Sequence, residues 1–166
     1  MLLRKTFRFE ASHILPRHSG KCRRLHGHSW VLHVFVEGPV SEKTGFVMDY
    51  ADISAAVKPL IERLDHRHLG QWIDVERQNS IPTNPAFTLG CGTGHMVDGL
   101  PPEFYPSSEN LLWWIGKQLR PQLEWSKLAL EETCTSYCEL TREEYMVGMG
   151  QATYPGILGR ELIRTV

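Results

Sequence analysis

No run in this chain is long and apolar enough to cross a membrane. No CxxC pair occurs either, which argues against a structural zinc ribbon. An excess of charge of one sign is also missing. Eighteen Lys and Arg against nineteen Asp and Glu leave a formal net charge of -1, so there is no global basic field for nucleic acid. The first residues lack the apolar core of a secretory signal. Only four cysteines are present, Cys22, Cys91, Cys134 and Cys138, and without such a signal they are expected to be free thiols in a reducing, cytoplasmic compartment. Repeats and low-complexity tracts are absent. What remains is an ordinary globular composition, 42% hydrophobic and 22% charged over 166 residues, enough for a single domain spanning 1–166 with a real core.

Charge is uneven locally. Arg4, Lys5, Arg8, Arg17, Lys21, Arg23 and Arg24 are balanced by a single acid, Glu10. That excess suits an anionic small molecule and equally a solvated strand edge.

Periodicity divides the chain. In "LLRKTFRFEASHI", Phe7, Phe9, Ala11 and His13 share one parity and Arg8, Glu10 and Ser12 the other, the signature of a strand. "HSWVLHVFVEG" is apolar on both parities and predicts a second strand buried on both faces. "TGFVMDY" reads as a short extended piece ending at Asp49. The period then changes: Ile53, Ala56, Val57, Leu60, Ile61 and Leu64 make one helical face, with Asp49 as N-cap. Residues 70–105 are rich in Gly and Pro with little periodicity and read as a long loop or insertion. "PSSENLLWWIGKQL" restarts a helix capped by Ser107 or Ser108 and closed by Pro121. "SKLALEETCTSYCEL" reads as one last long strand, and the tail after Arg142 carries no assignable pattern. Strands and helices in this order predict an α+β domain, an antiparallel sheet with two helices on one face.

Chemistry concentrates in "CRRLHGHSW". His26 and His28 are two apart on a strand, so both imidazoles point the same way. If the first two strands pair through the loop between them, His13 comes up beside them. Three neutral imidazoles with an open fourth position describe a catalytic zinc site. His33 has the opposite parity and is excluded. "CGTGH", Cys91 to His95, has metal-like spacing but reads as a glycine-rich loop, without the lysine of a phosphate loop.

Cys22 lies four residues before His26, beside Arg23 and Arg24, whose charge stabilises a thiolate. It is a candidate nucleophile or proton-abstracting base, or an ordinary loop thiol. In "LDHRHL", Asp65 and His66 can form a carboxylate–imidazole pair, with His68 as the competing histidine. Glu132 shares parity with Leu128 and Leu130. A carboxylate on that face needs a partner, such as the two N–H groups of a guanidine-like heterocycle edge, or else stands on a wet strand edge.

In order, "FEASHIL", "CRRLHGHSW", "TGFVMDY", "LDHRHL", "PSSENL" and "LEETCTSYCEL" together resemble the 6-pyruvoyl-tetrahydropterin synthase / 6-carboxy-tetrahydropterin synthase family, over roughly residues 3–69 and 106–140. The resemblance implies the tunnelling fold, a four-stranded antiparallel sheet with two helices on one face, assembled as a homohexamer of two stacked trimers. It implies zinc on His13, His26 and His28, Cys22 as catalytic base and Asp65–His66 as its proton-relay partner. Glu132 would anchor the pterin, helped by Ser107 and Ser108, and Asp49 falls in the family's "V-x-D" segment. The CxxxHGH spacing from Cys22 to His28 looks like the 6-carboxy branch of 7-deazaguanine (queuosine) biosynthesis. The implied reaction takes 7,8-dihydroneopterin triphosphate to 6-carboxy-5,6,7,8-tetrahydropterin, acetaldehyde and triphosphate. Alternatives are the 6-pyruvoyl product or a non-catalytic zinc- or pterin-binding module. Two features depart from the family: segment 70–105 is longer than its usual connection, and Ser107 stands where threonine is usual.

Overall fold

The computed structural model describes residues 1–70, 96–101 and 103–150. Strand β1 (Leu2–His13) alternates as its sequence demands, with Phe7, Phe9, Ala11 and His13 buried and Arg8 and Glu10 exposed. It pairs antiparallel with β2 (His26–Glu37) along its whole length, from Leu2 opposite Glu37 to His13 opposite His26. The even-numbered residues Trp30, Leu32, Val34 and Val36 of β2 enter the core. Of the other face only Val31 is buried, while His33 and Phe35 are half-buried. Burial on both faces, expected from the apolar run, holds for one face only in the single chain.

Helix α1 (Tyr50–Leu64) begins where Asp49 accepts a hydrogen bond from the Ala51 N–H at 2.7 Å. It buries Ile53, Val57, Leu60 and Leu64, the i, i+4, i+7, i+11 stripe expected of a helix lying on a sheet. At its end the chain reverses through His66, whose φ of 56° lies in the left-handed region. The His66 N–H donates to the Glu10 carbonyl at 2.6 Å, which leads the chain into β3 (Arg67–Leu69), parallel to the end of β1. Helix α2 (Ser108–Leu119) starts on Ser107, whose hydroxyl accepts from the Asn110 N–H at 3.4 Å. The hairpin β4 (Lys127–Thr133) and β5 (Ser136–Thr141) follows, then helix α3 (Arg142–Gly150). The sheet order is β3-β1-β2-β4-β5. One core unites the inner sheet face with α1 and α2, centred on Trp30, Leu32, Leu111, Ile115, Leu128 and Leu130.

The α+β class stands, but the sheet has five strands rather than four, and three helices are present among the described residues rather than two. Each extra element has a physical reason. Strand β3 is three residues long and too short to show a period. The single long strand expected at 126–140 is a hairpin that turns at Cys134 and Thr135. In "TGFVMDY", Thr44 to Met48 form a turn and bends rather than a strand, Asp49 is the N-cap and Tyr50 opens α1. Helix α3 carries two glycines and little amphipathic pattern, but it does have a capping box. Glu144 N–H donates to Thr141 Oγ1 at 3.2 Å, and Thr141 N–H donates back to Glu144 Oε2 at 2.9 Å. "TREE" was the signal for it. The helix is anchored by Tyr145, which packs on Trp113 and Trp125 at 4.9 and 5.3 Å between ring centres.

Most of segment 70–105, including Cys91 and His95, lies outside the described residues. Its last part returns to the core. The Val97 N–H donates to the His68 carbonyl at 3.4 Å, and Arg63 on α1 donates to the Asp98 carbonyl at 2.7 Å.

Candidate metal centre and relay

The antiparallel register places His13, the last residue of β1, directly opposite His26, the first of β2. His28, two residues further, shares the same face. Gly27 lets the strands close here: a Cβ at this position would meet the Ala11 carbonyl oxygen at 3.2 Å. The three imidazoles form the group of side chains among the described residues that can hold a metal ion, with ligand atoms within 4.8 Å of one another.

The hydrogen bonds define what these rings offer. His13 Nδ1–H donates to the Pro106 carbonyl at 2.8 Å, and His26 Nδ1–H donates to the Arg24 carbonyl at 2.7 Å. A carbonyl only accepts, so in the neutral rings both Nε2 atoms carry lone pairs. Those two atoms are 3.1 Å apart. Burial, first of several causes, pushes the His13 pKa down to about 4, and burial also lowers that of His28. Near neutral pH no proton on His13 relieves the approach of two acceptors. A cation among the three Nε2 atoms does relieve it, and backbone carbonyls on the remote ring nitrogens are the usual supports of a ligating histidine. The donor set thus fits a metal that accepts three imidazoles.

Two further groups reach this cluster. Glu132 sits at a β-bulge, unpaired between the pairs Glu131–Tyr137 and Thr133–Ser136, where a strand re-aims a side chain. Its Oε1 lies 3.4 Å from His13 Nε2 and 3.7 Å from His28 Nε2. The start of α2 is tied to the cluster through the Pro106 carbonyl, one residue before Ser107, whose hydroxyl caps the helix.

Asp65 and His66 do form a pair. His66 Nδ1 donates to Asp65 Oδ2 at 2.9 Å, while Asp65 Oδ1 accepts from the Glu10 N–H at 2.7 Å. The Glu10 hydrogen bond first, and His66 after it, hold the Asp65 carboxyl below its ordinary range. The geometric obstacle to bonding between adjacent residues is met by the left-handed turn at His66. The His66 ring is 78% exposed, open to a substrate. It shares an open recess of about 430 Å³ with Glu10, Ser12, His28, Ser29 and His68. The competing histidine, His68, is instead 4% exposed, its Nδ1 3.1 Å from Ser12 Oγ.

Cys22 lies in a single 3-10 turn, Lys21–Arg23, within the loop joining β1 to β2, and is a half-buried free thiol. The Leu15 N–H donates to its carbonyl at 3.0 Å. Tyr105 was not singled out from the sequence. The Arg17 guanidinium sits 4.9 Å from its ring centre, and both Arg17 and Cys22 are near enough to influence its raised pKa, of which burial is the main cause. Tyr105 therefore pins the Cys22 loop to the segment leading into α2. Its position two residues before Ser107 in "YPSSEN" was the only sequence cue. Asp49 is not part of this assembly. It caps α1 beside Tyr50, whose carbonyl accepts from Lys5 Nζ at 2.8 Å. Lys5 is eight residues from His13 on the same strand, roughly 26 Å away. His33 is on the opposite sheet face, bonded to Thr6 Oγ1 at 2.9 Å and Glu131 Oε1 at 2.7 Å, in agreement with its exclusion.

His68 gives a pH dependence. Burial lowers its pKa from 6.5 to about 4. Between these values the unfolded chain binds more protons, so stability rises with pH and is lost as pH falls from 6.5 toward 4. The expected loss through His68 is on the order of 3 kcal/mol, with His13 adding to it in metal-free protein. Urea unfolding of the metal-free protein at pH 7 and pH 4.5 checks this. A His68→Gln variant should show a shallower fall, and an unchanged midpoint in the wild type contradicts it.

Comparison with known proteins finds a family and named relatives. The 6-pyruvoyl tetrahydropterin synthase family matches residues 2–143. The Haemophilus influenzae 6-carboxy-5,6,7,8-tetrahydropterin synthase is 33% identical over 81% of this chain and 94% of its own length. The Synechocystis protein of the same name is 42% identical over 84 residues, 48% of this chain and 65% of that protein. A Caenorhabditis elegans 6-pyruvoyl tetrahydropterin synthase structure superposes with a TM-score of 0.61 at 22% identity, covering 85% of this chain and 94% of that one; this likeness shows the fold. The family match and the named relatives make this chain a pterin-family enzyme, of the lyase class to which those relatives belong. The chain belongs to the 6-pyruvoyl tetrahydropterin synthase family. No helix among the described residues is long and apolar enough to cross a membrane.

Proposed function

We propose that this chain is a zinc-dependent carbon–carbon lyase that converts 7,8-dihydroneopterin triphosphate and water to 6-carboxy-5,6,7,8-tetrahydropterin, acetaldehyde and triphosphate. The step belongs to 7-deazaguanine biosynthesis. The observation that carries the reading is the convergence of His13, His26 and His28, with His28 lining the same open recess as the exposed His66, in a chain with the CxxxHGH spacing and relatives named for this activity.

When bound, zinc supplies a Lewis acid that makes the substrate's side-chain hydroxyls more acidic. The remaining work falls to the chain. Cys22 takes a proton from the substrate side chain. Asp65 holds His66 by Nδ1, which leaves His66 Nε2 as the atom that exchanges a proton on the other face. Base and acid on separate elements, the β1–β2 loop and the α1–β3 turn, allow protons to leave and arrive without a free carbanion. Glu132 accepts two N–H bonds from the guanidine-like edge of the pterin, and the serines at the start of α2 supply hydroxyls beside it. The basic residues of the first loop face the triphosphate. The enzyme works as a homohexamer of two trimers in the cytoplasm; a single chain gives Asp49 no path to this site, so a substrate contact by Asp49 is made in a neighbouring subunit's. The whole chain acts as one catalytic domain in which 70–105 is an insertion.

Incubation with 7,8-dihydroneopterin triphosphate, followed by mass spectrometry of the products, tests the reading. The expected product is 6-carboxy-5,6,7,8-tetrahydropterin. A pyruvoyl product would move the chain to the other branch of the family, and pterin binding without turnover would make it a binding module.

A further inference from the structure

The loop that carries Cys22 is tied down in three ways. Its own backbone closes it: the Leu15 N–H donates to the Cys22 carbonyl at 3.0 Å, and the Arg24 N–H donates to the Lys21 carbonyl at 3.0 Å. Its far end is tied to the histidine cluster, where His26 Nδ1–H donates to the Arg24 carbonyl at 2.7 Å. Those two ties close the loop on itself and on its own strand. The third leaves the loop altogether. The exposed Arg17 lays its guanidinium over the ring of Tyr105, 4.9 Å from the ring centre.

Tyr105 is firmly fixed. Its carbonyl accepts from the Ser107 N–H at 2.9 Å and from the buried side chain of Asn110 at 2.8 Å. The next carbonyl, that of Pro106, accepts from His13 Nδ1 at 2.8 Å. The support of a cluster histidine and the ring that holds Arg17 thus belong to adjacent residues. Burial raises the pKa of the Tyr105 hydroxyl, the Arg17 backbone N–H and charge oppose the rise, and Cys22 adds to it. The phenol and the thiol therefore lie near one another. A cation is held by the face of an aromatic ring, which does not require the hydroxyl. We propose that Tyr105 is a positioning residue for the reaction: with Arg17 stacked on its ring, it holds the Cys22 loop against the segment that supports His13 and so sets the thiol at its working distance from the substrate. The inference rests on the proposed role of Cys22 as base. Such placement matters to rate, because an error of about 1 Å at a reacting group costs on the order of 10²-fold.

The test uses the zinc-loaded full chain as wild type, Tyr105→Leu, Tyr105→Phe and Arg17→Leu. One measurement is steady-state turnover of 7,8-dihydroneopterin triphosphate. The other is alkylation by iodoacetamide, followed by peptide mass spectrometry that separates Cys22 from Cys91, Cys134 and Cys138. Tyr105→Leu is expected to lower kcat roughly 10- to 100-fold, with KM, zinc content and Tm near wild type. Its Cys22, half-buried in the wild type, should alkylate several-fold faster once the loop is released. Arg17→Leu should move both readings the same way and add little when combined with Tyr105→Leu, because the two side chains make one contact. Tyr105→Phe keeps the ring and should bring both readings to within about threefold of wild type. Wild-type kcat and alkylation in Tyr105→Leu would overturn the proposal. A Phe variant as slow as the Leu variant would overturn it too, by assigning the effect to the hydroxyl. So would an Arg17→Leu variant that raises KM alone, which would give Arg17 to the triphosphate. Arg17 is exposed, so its variant carries the test if Tyr105→Leu does not fold. Absence of wild-type turnover removes the functional reading, while alkylation, which needs no substrate, still decides whether Tyr105 holds the thiol in place.

Discussion

Replacing Cys22 with alanine is expected to cut turnover by roughly 10²- to 10⁴-fold while leaving metal content and thermal stability near wild type. The position makes this a clean test. Cys22 sits on a short surface turn whose hold on the fold is its backbone carbonyl, bonded to Leu15, and an alanine keeps that bond. Its thiol is not among the side chains that gather around the metal position. A loss of rate at constant metal content therefore assigns Cys22 to proton transfer. Turnover that survives intact removes it as the base, and the relay would then have to start elsewhere.

Replacing His28 with alanine is expected to remove metal and activity together. His28 is preferable to His13 for this purpose. His13 is fully buried and ties β1 to the segment before α2 through Pro106, so its loss would disturb the fold as well as the site. His28 is 19% exposed and its removal leaves both backbone ties of its neighbours in place. With two imidazoles remaining, the variant should hold less than one equivalent of zinc after dialysis, as measured by elemental analysis, and turnover should fall to background. Far-ultraviolet circular dichroism should be unchanged. Full metal content in the variant would show that the ion is held elsewhere.

Much of this site was legible because it obeys strand parity. His13, His26 and His28 share faces that alternate with Arg8, Ser12 and Ser29, and an antiparallel register through a loop brings the two strand ends together. Asp49 and Ser107 were legible as caps by residue type and place. The elements that escaped are those without a period. Strand β3 spans three residues, and the β4–β5 turn at Cys134–Thr135 carries no Gly, Pro, Asn or Asp to mark it. Helix α3 depends on one buried aromatic and a capping box. Glu132 was legible as a carboxylate needing a partner, but its approach to two histidines depends on a bulge, which shifts register by one residue and leaves no mark in hydropathy. Tyr105 was invisible because its contact with Arg17 joins segments 88 residues apart.

The central claim is that the histidine centre and Cys22 together cleave a carbon–carbon bond. Acetaldehyde released per triphosphate released, measured on zinc-loaded protein with 7,8-dihydroneopterin triphosphate, tests it most directly. A ratio near one, lost on removal of the metal, is the expected result. Triphosphate release without acetaldehyde would contradict the claim and place the chain's chemistry at elimination instead.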